Sequence, residues 1–145
     1  MAPAPGYRFL PHTTDAYIEA TGSTFEHALE NAGVALFDTM CDVKSISPQI
    51  SESLEAEGRD NVTLLYDWLE SLLLKFELEG KVYSKFKVNP VKRSGRALRI
   101  KAKASGEAFD RSKHTAKVEV KAVTFHKMEI IKRDSTTVLR FILDL

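Results

Sequence analysis

Apolar positions recur along this chain with two different periods, and each change of period marks an element. Tyr7 to Leu10 reads as a short strand stopped by Pro11. Ala16 to Ala20 alternates as a second strand, and Gly22 breaks it. Phe25, Ala28, Leu29, Ala32, Ala35, Leu36 and Met40 then fall at helical spacing. Phe37 and Cys41 flank this stripe, and Gly33 is its weak point. Ser23-Thr24-Phe25-Glu26 fits a capping box, with Ser23 as the cap. Pro48 to Glu57 suits a strand. Asp60 is placed to cap a second helix marked by Val62, Leu65, Leu69, Leu72, Leu73 and Phe76, and Gly80 to stop it.

Beyond Gly80 the period returns to two. Val82, Ser84, Phe86 and Val88 share one side of a strand, with Tyr83, Lys85 and Lys87 on the other. Arg93-Ser94-Gly95-Arg96 suits a turn. Ala97 to Ser105 alternates with its cations outward, and Val118 to Ala122 alternates again. Phe125 to Lys132 and Thr137 to Asp144 are the last two strands. Strands, helix, strand, helix and then a run of strands is not the regular alternation of a doubly wound fold. It predicts an α+β single domain, a mostly antiparallel or mixed sheet carrying two helices. Residues 1–6 read as a flexible tail rather than a signal peptide, and 7–145 as the domain.

Composition narrows the setting. At 145 residues and 43% hydrophobic, the chain suits one compact domain with a sizeable core. Cys41 is its one cysteine, so no internal disulfide can form, and a reducing, cytoplasmic setting is expected. A small core residue is the ordinary reading of such a cysteine. No apolar run is long enough to span a bilayer, so no membrane is expected. The net charge of +1 hides a segregation. Residues 1–80 carry 4 Lys/Arg against 14 Asp/Glu, residues 81–127 carry 14 against 3, and residues 128–145 carry 3 of each. A basic face able to meet RNA or an acidic protein patch is one reading; solvated charge interleaved by folding is the other.

Several chemistries lack their signatures. There is no Walker loop or Gly-x-Gly-x-x-Gly, hence no nucleotide bound by a standard loop, and no Gly-x-Ser-x-Gly elbow. His12, His27, His114 and His126 form no zinc helix signature, and His27 reads as surface. Two aspartates are more suggestive. Asp15 follows the turn Pro11-His12-Thr13-Thr14, and Asp144 lies in the apolar run Phe141-Ile142-Leu143-Asp144-Leu145. Taken singly, Asp15 is a turn residue binding nearby amides. If the two end strands pair, two carboxylates meet and call for a hard cation or a proton. Leu145 main-chain or carboxylate oxygen and water would complete an oxygen shell. Such donors favour calcium or magnesium over zinc. Arg111-Ser112-Lys113-His114, with Glu119, Lys121, Thr124 and His126, forms a second polar cluster. It is either a contact surface beside that site or an exposed ion pair of small weight.

The His12-Thr13-Thr14-Asp15 turn, the Phe25 to Met40 and Leu64 to Phe76 helices, the Ser112-Lys113-His114 loop, Glu119 to Thr124 and the Leu143-Asp144-Leu145 end together resemble the archease family from Tyr7 to Leu145. What the resemblance implies is a helper rather than a catalyst, so no catalytic residue is expected. Archeases assist the RtcB-type RNA ligase that joins tRNA halves, promoting its guanylylation and repeated turnover. The resemblance also implies a divalent cation, calcium first with magnesium or manganese as the other candidates, at Asp15 and Asp144 with Leu145. Lys121, His12 and Glu119 follow as further functional positions. The rival reading is an RNA-binding module on the basic 81–127 strands, without ligase activation, with Phe86, Phe109 and Phe125 as candidate stacking residues. A metal-dependent hydrolase ranks last, because no general base beyond the carboxylates stands out.

Overall fold

The computed structural model describes residues 6–12 and 14–145. Thr13 of the candidate turn and residues 1–5 of the expected tail lie outside the described residues. Gly6 does not hang free, because its carbonyl accepts from the Thr21 amide at 2.7 Å.

Eight strands and two helices follow in the order β1 Tyr7–Leu10, β2 Ala16–Gly22, α1 Phe25–Met40, β3 Ile50–Gly58, α2 Asn61–Glu79, β4 Lys81–Val88, β5 Lys92–Ser94, β6 Ala97–Ala108, β7 Ala122–Arg133 and β8 Thr136–Asp144. They form two antiparallel sheets, β1-β2-β8-β7 and β3-β6-β4, with β5 also pairing with β6. The helices lie between the sheets, with α1 packed on β2 and β4 and α2 on β3 and β7. One apolar face of each sheet is thereby covered, and the other meets solvent. This is the expected α+β architecture, resolved into two sheets rather than one.

The helix bounds follow local chemistry. The start of α1 is capped by Thr24, not Ser23: its hydroxyl accepts from the His27 amide at 3.0 Å. Ser23 instead donates its amide to the His27 imidazole. Asp60 caps α2 in a reciprocal box with Thr63, and Gly80 ends it at φ 65°, a conformation that costs glycine little. Gly33, the weak point of α1, earns its place by packing: a Cβ there would lie 2.9 Å from the Phe86 ring. Trp68, fully buried, reaches from α2 to α1 and donates its indole N–H to the Leu29 carbonyl at 2.9 Å.

Two irregularities shift side chains away from strict alternation. Between Tyr83 and Lys85 the β4–β6 register slips by one residue, so Val82 and Tyr83 are both buried. Residues 118–121 are not a strand at all, and β7 begins at Ala122. The backbone here follows no single neighbouring strand: the amide of Lys117, just before the run, goes to Met40 and that of Lys121 to Asp144. Val120 is buried while Val118 is 45% exposed, which no two-residue period allows on one face.

Cys41 is buried, and burial pushes its thiol up to about 11. Because the thiolate is the reactive form, iodoacetamide should leave Cys41 unmodified in the native protein at neutral pH. Mass spectrometry should find it alkylated only after denaturation. No described helix is long and apolar enough to cross a membrane.

Candidate functional site

The first sheet brings the two ends of the chain side by side. Along β2 and β8, Ala16 pairs with Leu143, Tyr17 with Ile142 and Glu19 with Arg140. Asp15 directly precedes Ala16 and Asp144 directly follows Leu143, so both aspartates flank the last pair at the same end of this ladder. On the far side of β8, Asp144 pairs with Ala122, and its carbonyl accepts from the Lys121 amide at 2.7 Å. Asp15, Asp144 and Lys121 therefore lie at one end of the sheet.

Alternation fixes the face. Ile18 and Ala20 are buried against the helices, so Tyr17 and Glu19 point to the outer side. Their partners Ile142 and Arg140 do likewise, and Asp144 continues that series. The outer face is balanced one row further in. Arg8, Glu19, Arg140 and Glu129 stand directly opposite one another across all four strands. Their contacts are 2.8 Å from Arg8 to Glu19, 2.9 Å from Arg140 to Glu19 and 3.1 Å from Arg140 to Glu129. The Arg8 hydrogen bond, with help from Arg140, holds the Glu19 carboxyl below its usual range.

The tip has no such balance. Among the described residues, the one basic side chain within 4.0 Å of the Asp15 carboxylate is His12, whose Nδ1 lies 3.8 Å away, and Asp144 has none. That Nδ1 is buried without a hydrogen-bond partner. The His12 ring meets Tyr17 edge-on at 6.0 Å, and the Lys127 ammonium sits 5.6 Å from the centre of the Tyr17 ring. Lys127 owes its place to the break in β7 pairing between Thr124 and Glu129, where its φ is 56°. Tyr17 was findable from sequence, since it shares a face with Asp15 in an alternating strand. Lys127 was not, because the β7 irregularity leaves no clear pattern.

Tested against a hard divalent cation, the donors fit in kind. Both carboxylates offer oxygen, and the orphaned imidazole nitrogen beside Asp15 marks an unfilled polar demand. In number they are few: among the described residues no group of three or more His, Cys, Asp and Glu gathers to hold a metal. Asp15, Asp144 and main-chain oxygen of Leu145 would hold the ion from one side, leaving positions open to outside ligands.

The other sequence candidates sit elsewhere. Glu119 is exposed in the irregular run 118–121, not on a strand with Lys121, and lines a small cavity with Met40, Phe76 and Phe109. The Arg111 to His114 segment belongs to a clamp rather than a contact surface. His114 is fully buried, accepts from the Asp110 amide at 2.9 Å and meets Glu107 at 2.7 Å. With Nδ1 accepting, the proton sits on Nε2 and is donated to the carboxylate. Lys113 reaches the same carboxylate at 2.8 Å, and the Ser47 amide donates to it at 2.9 Å. Sequence reasoning missed Glu107, although its spacing to Lys113 and His114 was visible. Phe86 packs against Phe37 and Trp68, and Phe109 against Phe76 and His114, so neither is a free stacking platform. Phe125 is 52% exposed but already stacked on Tyr66 at 4.1 Å.

The clamp carries its own prediction. The hydrogen bond from Lys113, then the Ser47 amide, lower the Glu107 carboxyl to about 2. A depressed carboxylate stabilises the fold above its unfolded value near 4.5, and that stability is lost as pH falls through about 2. Glu107→Ala should cost about 2–3 kcal/mol at neutral pH, because His114 stays buried without its acceptor. Denaturant melts should show the gap between wild type and variant closing as pH drops below about 4.

Comparison with known proteins bears on the family and the fold. The family model described as the Archease protein family matches residues 7–145. The protein archease of Sulfurisphaera tokodaii is 37% identical over 139 residues, covering 96% of this chain and 98% of its own. That of Thermococcus gammatolerans is 40% identical over 135 residues, covering 92% and 94%. The solution structure of protein 1598 from Methanobacterium thermoautotrophicum superposes with a TM-score of 0.85 at 38% identity, over 98% of this chain and 100% of that one. A Thermotoga maritima crystal structure, described as an archease and possible chaperone, shares the fold at a TM-score of 0.60 and 17% identity, over 95% and 96% of the two chains. A match running from the first strand to the last, with relatives of the same length, has one meaning: this chain belongs to the archease family.

Proposed function

We infer that this archease activates an RtcB-type tRNA-splicing ligase, promoting its guanylylation and multiple turnover through the Asp15–Asp144 tip. The observation that supports the reading is the pairing of Ala16 with Leu143, which brings the flanking Asp15 and Asp144 to one end of a sheet with no Lys or Arg within 4.0 Å of either carboxylate among the described residues. Two such carboxylates repel unless a cation lies between them. A divalent ion held there would neutralise that pair and offer open coordination positions to phosphate oxygens. Asp15 and Asp144 bind and orient from adjacent strands. The Lys121 amide fixes the Asp144 backbone, and its ammonium is free to meet an incoming anion. His12 lies beside Asp15, its Nδ1 3.8 Å from the carboxylate. Calcium suits the donor set, with magnesium and manganese as the other hard ions.

The test is ligation of tRNA halves by an RtcB-type ligase present below the substrate concentration. Addition of this protein should convert a single round into many. Asp15→Ala and Asp144→Ala proteins that fold normally should not. An unchanged single round with wild-type protein and its own ligase would sink the reading.

A further inference from the structure

The outer faces of the two sheets treat charge in opposite ways. On β1-β2-β8-β7 a carboxylate stands between two guanidinium groups in one row. On β3-β6-β4 the cations are left facing one another. Lys87 pairs directly with Lys103, and Lys92 with Arg99. Lys101 lies between these rows on β6, and Lys85 extends the face along β4. All six are exposed, while the alternate residues Leu98, Ile100, Ala102 and Ala104 are buried against the helices. Two carboxylates on β3 share the face, Glu55 opposite Lys101 and Glu57 opposite Arg99, the latter in contact at 3.2 Å, so the six cations outnumber them. Like charges directly opposite on neighbouring strands destabilise a sheet. At one end the cations Lys92, Arg93, Arg99 and Lys101 line a cavity of about 310 Å³ with Asn89 and Pro90.

We propose that this outer face of β3-β6-β4 binds the phosphate backbone of RNA, independently of the acidic tip. Charge complementarity names an anionic partner. The make-up of the face selects nucleic acid over an acidic protein: Ser51, Ser53 and Ser105 fill the positions around the cations. No aromatic or large apolar side chain stands among them to form the buried centre that protein interfaces need. Lysines at alternate positions on neighbouring strands make a flat grid of point charges that contacts phosphates without reading bases. Binding should therefore be sequence-tolerant and driven by counterion release.

The test is fluorescence anisotropy with a labelled single-stranded oligouridylate across a salt series. With about four phosphates neutralised, affinity should fall roughly 50-fold between about 50 mM and about 200 mM salt. The Lys87→Gln/Lys103→Gln protein should bind about tenfold more weakly, with a salt slope shallower by about 1.4. Its melting temperature should be equal or higher, because a repulsive pair is gone. A second pair, Lys85→Gln/Lys101→Gln, must show the same loss. Lys132→Gln/Arg133→Gln, on the other sheet, should bind as wild type. The proposal is overturned by absent binding at low salt, by either face variant binding as wild type, or by equal weakening in the control pair. A polyglutamate of matched charge binding as tightly as the RNA would overturn it too, assigning the face to an acidic protein.

Discussion

Calcium should raise the melting temperature of this protein, and Asp144→Asn should abolish that rise while making the calcium-free protein slightly more stable. The two signs come from one geometry. The β2–β8 ladder ends at the Ala16–Leu143 pair, flanked by Asp15 and Asp144, and carboxylates on opposed positions would have Cβ atoms about 5 Å apart. Without a cation the like charges cost roughly 0.5–1 kcal/mol, and neutralising either should return it. With ligand about a hundredfold above its dissociation constant, binding to the native state alone stabilises by about 2.7 kcal/mol. For a chain of this size that is a rise of roughly 8 °C. Asp15→Asn should behave in the same way, and Glu119→Gln should keep the full rise, because Glu119 lies away from the tip. Differential scanning fluorimetry with and without chelator reads all four proteins. A calcium response that survives both asparagine variants would place the ion elsewhere. The same variants should reduce ligase activation to the level seen without this protein.

How far this site was legible in the sequence depends on which link is asked for. The helices were legible because their information is local: Phe25 to Met40 carries its own period, and Asp60 and Gly80 mark the ends of α2 chemically. The meeting of Asp15 and Asp144 is not local. Nothing in the residues between them fixes that β2 pairs with β8, and it entered only as the habit of terminal strands to share a sheet. The irregular pieces were illegible for a related reason. Residues 118–121 alternate as a strand should, yet the amide just before the run, Lys117, is claimed by Met40 and the last one, Lys121, by Asp144, so tertiary partners override the pattern. The slip in β4 placed Tyr83 in the core against its expected side. The basic run, by contrast, was visible as a count. What the count could not show is that folding balances one sheet face and leaves the other with an excess of cations.

The largest loss of stability from one substitution is expected at Trp68, and its consequence for activation should follow from folding alone. Trp68 is fully buried on α2, its ring packs edge-on to Phe86 at 5.7 Å, and its N–H reaches the Leu29 carbonyl of α1. It ties together the two helices, each of which touches strands of both sheets. Trp68→Ala removes this volume from a close-packed layer and should cost about 4 kcal/mol. That corresponds to a fall of roughly 12 °C in melting temperature. Trp68→Phe keeps an aromatic ring but gives up the N–H donor. Leu29 lies mid-helix, where its carbonyl also serves the α1 ladder, so the loss there should be nearer 1–2 kcal/mol. Because Trp68 touches neither the tip nor the basic face, both variants should activate ligase at wild-type levels wherever they remain folded. Assayed over a temperature series, activation by Trp68→Ala should collapse along its own melting curve. Asp144→Asn, by contrast, should be inactive at every temperature. If Trp68→Ala loses activation well below its melting transition, then the helix layer itself takes part in engaging the ligase, and the tip does not act alone.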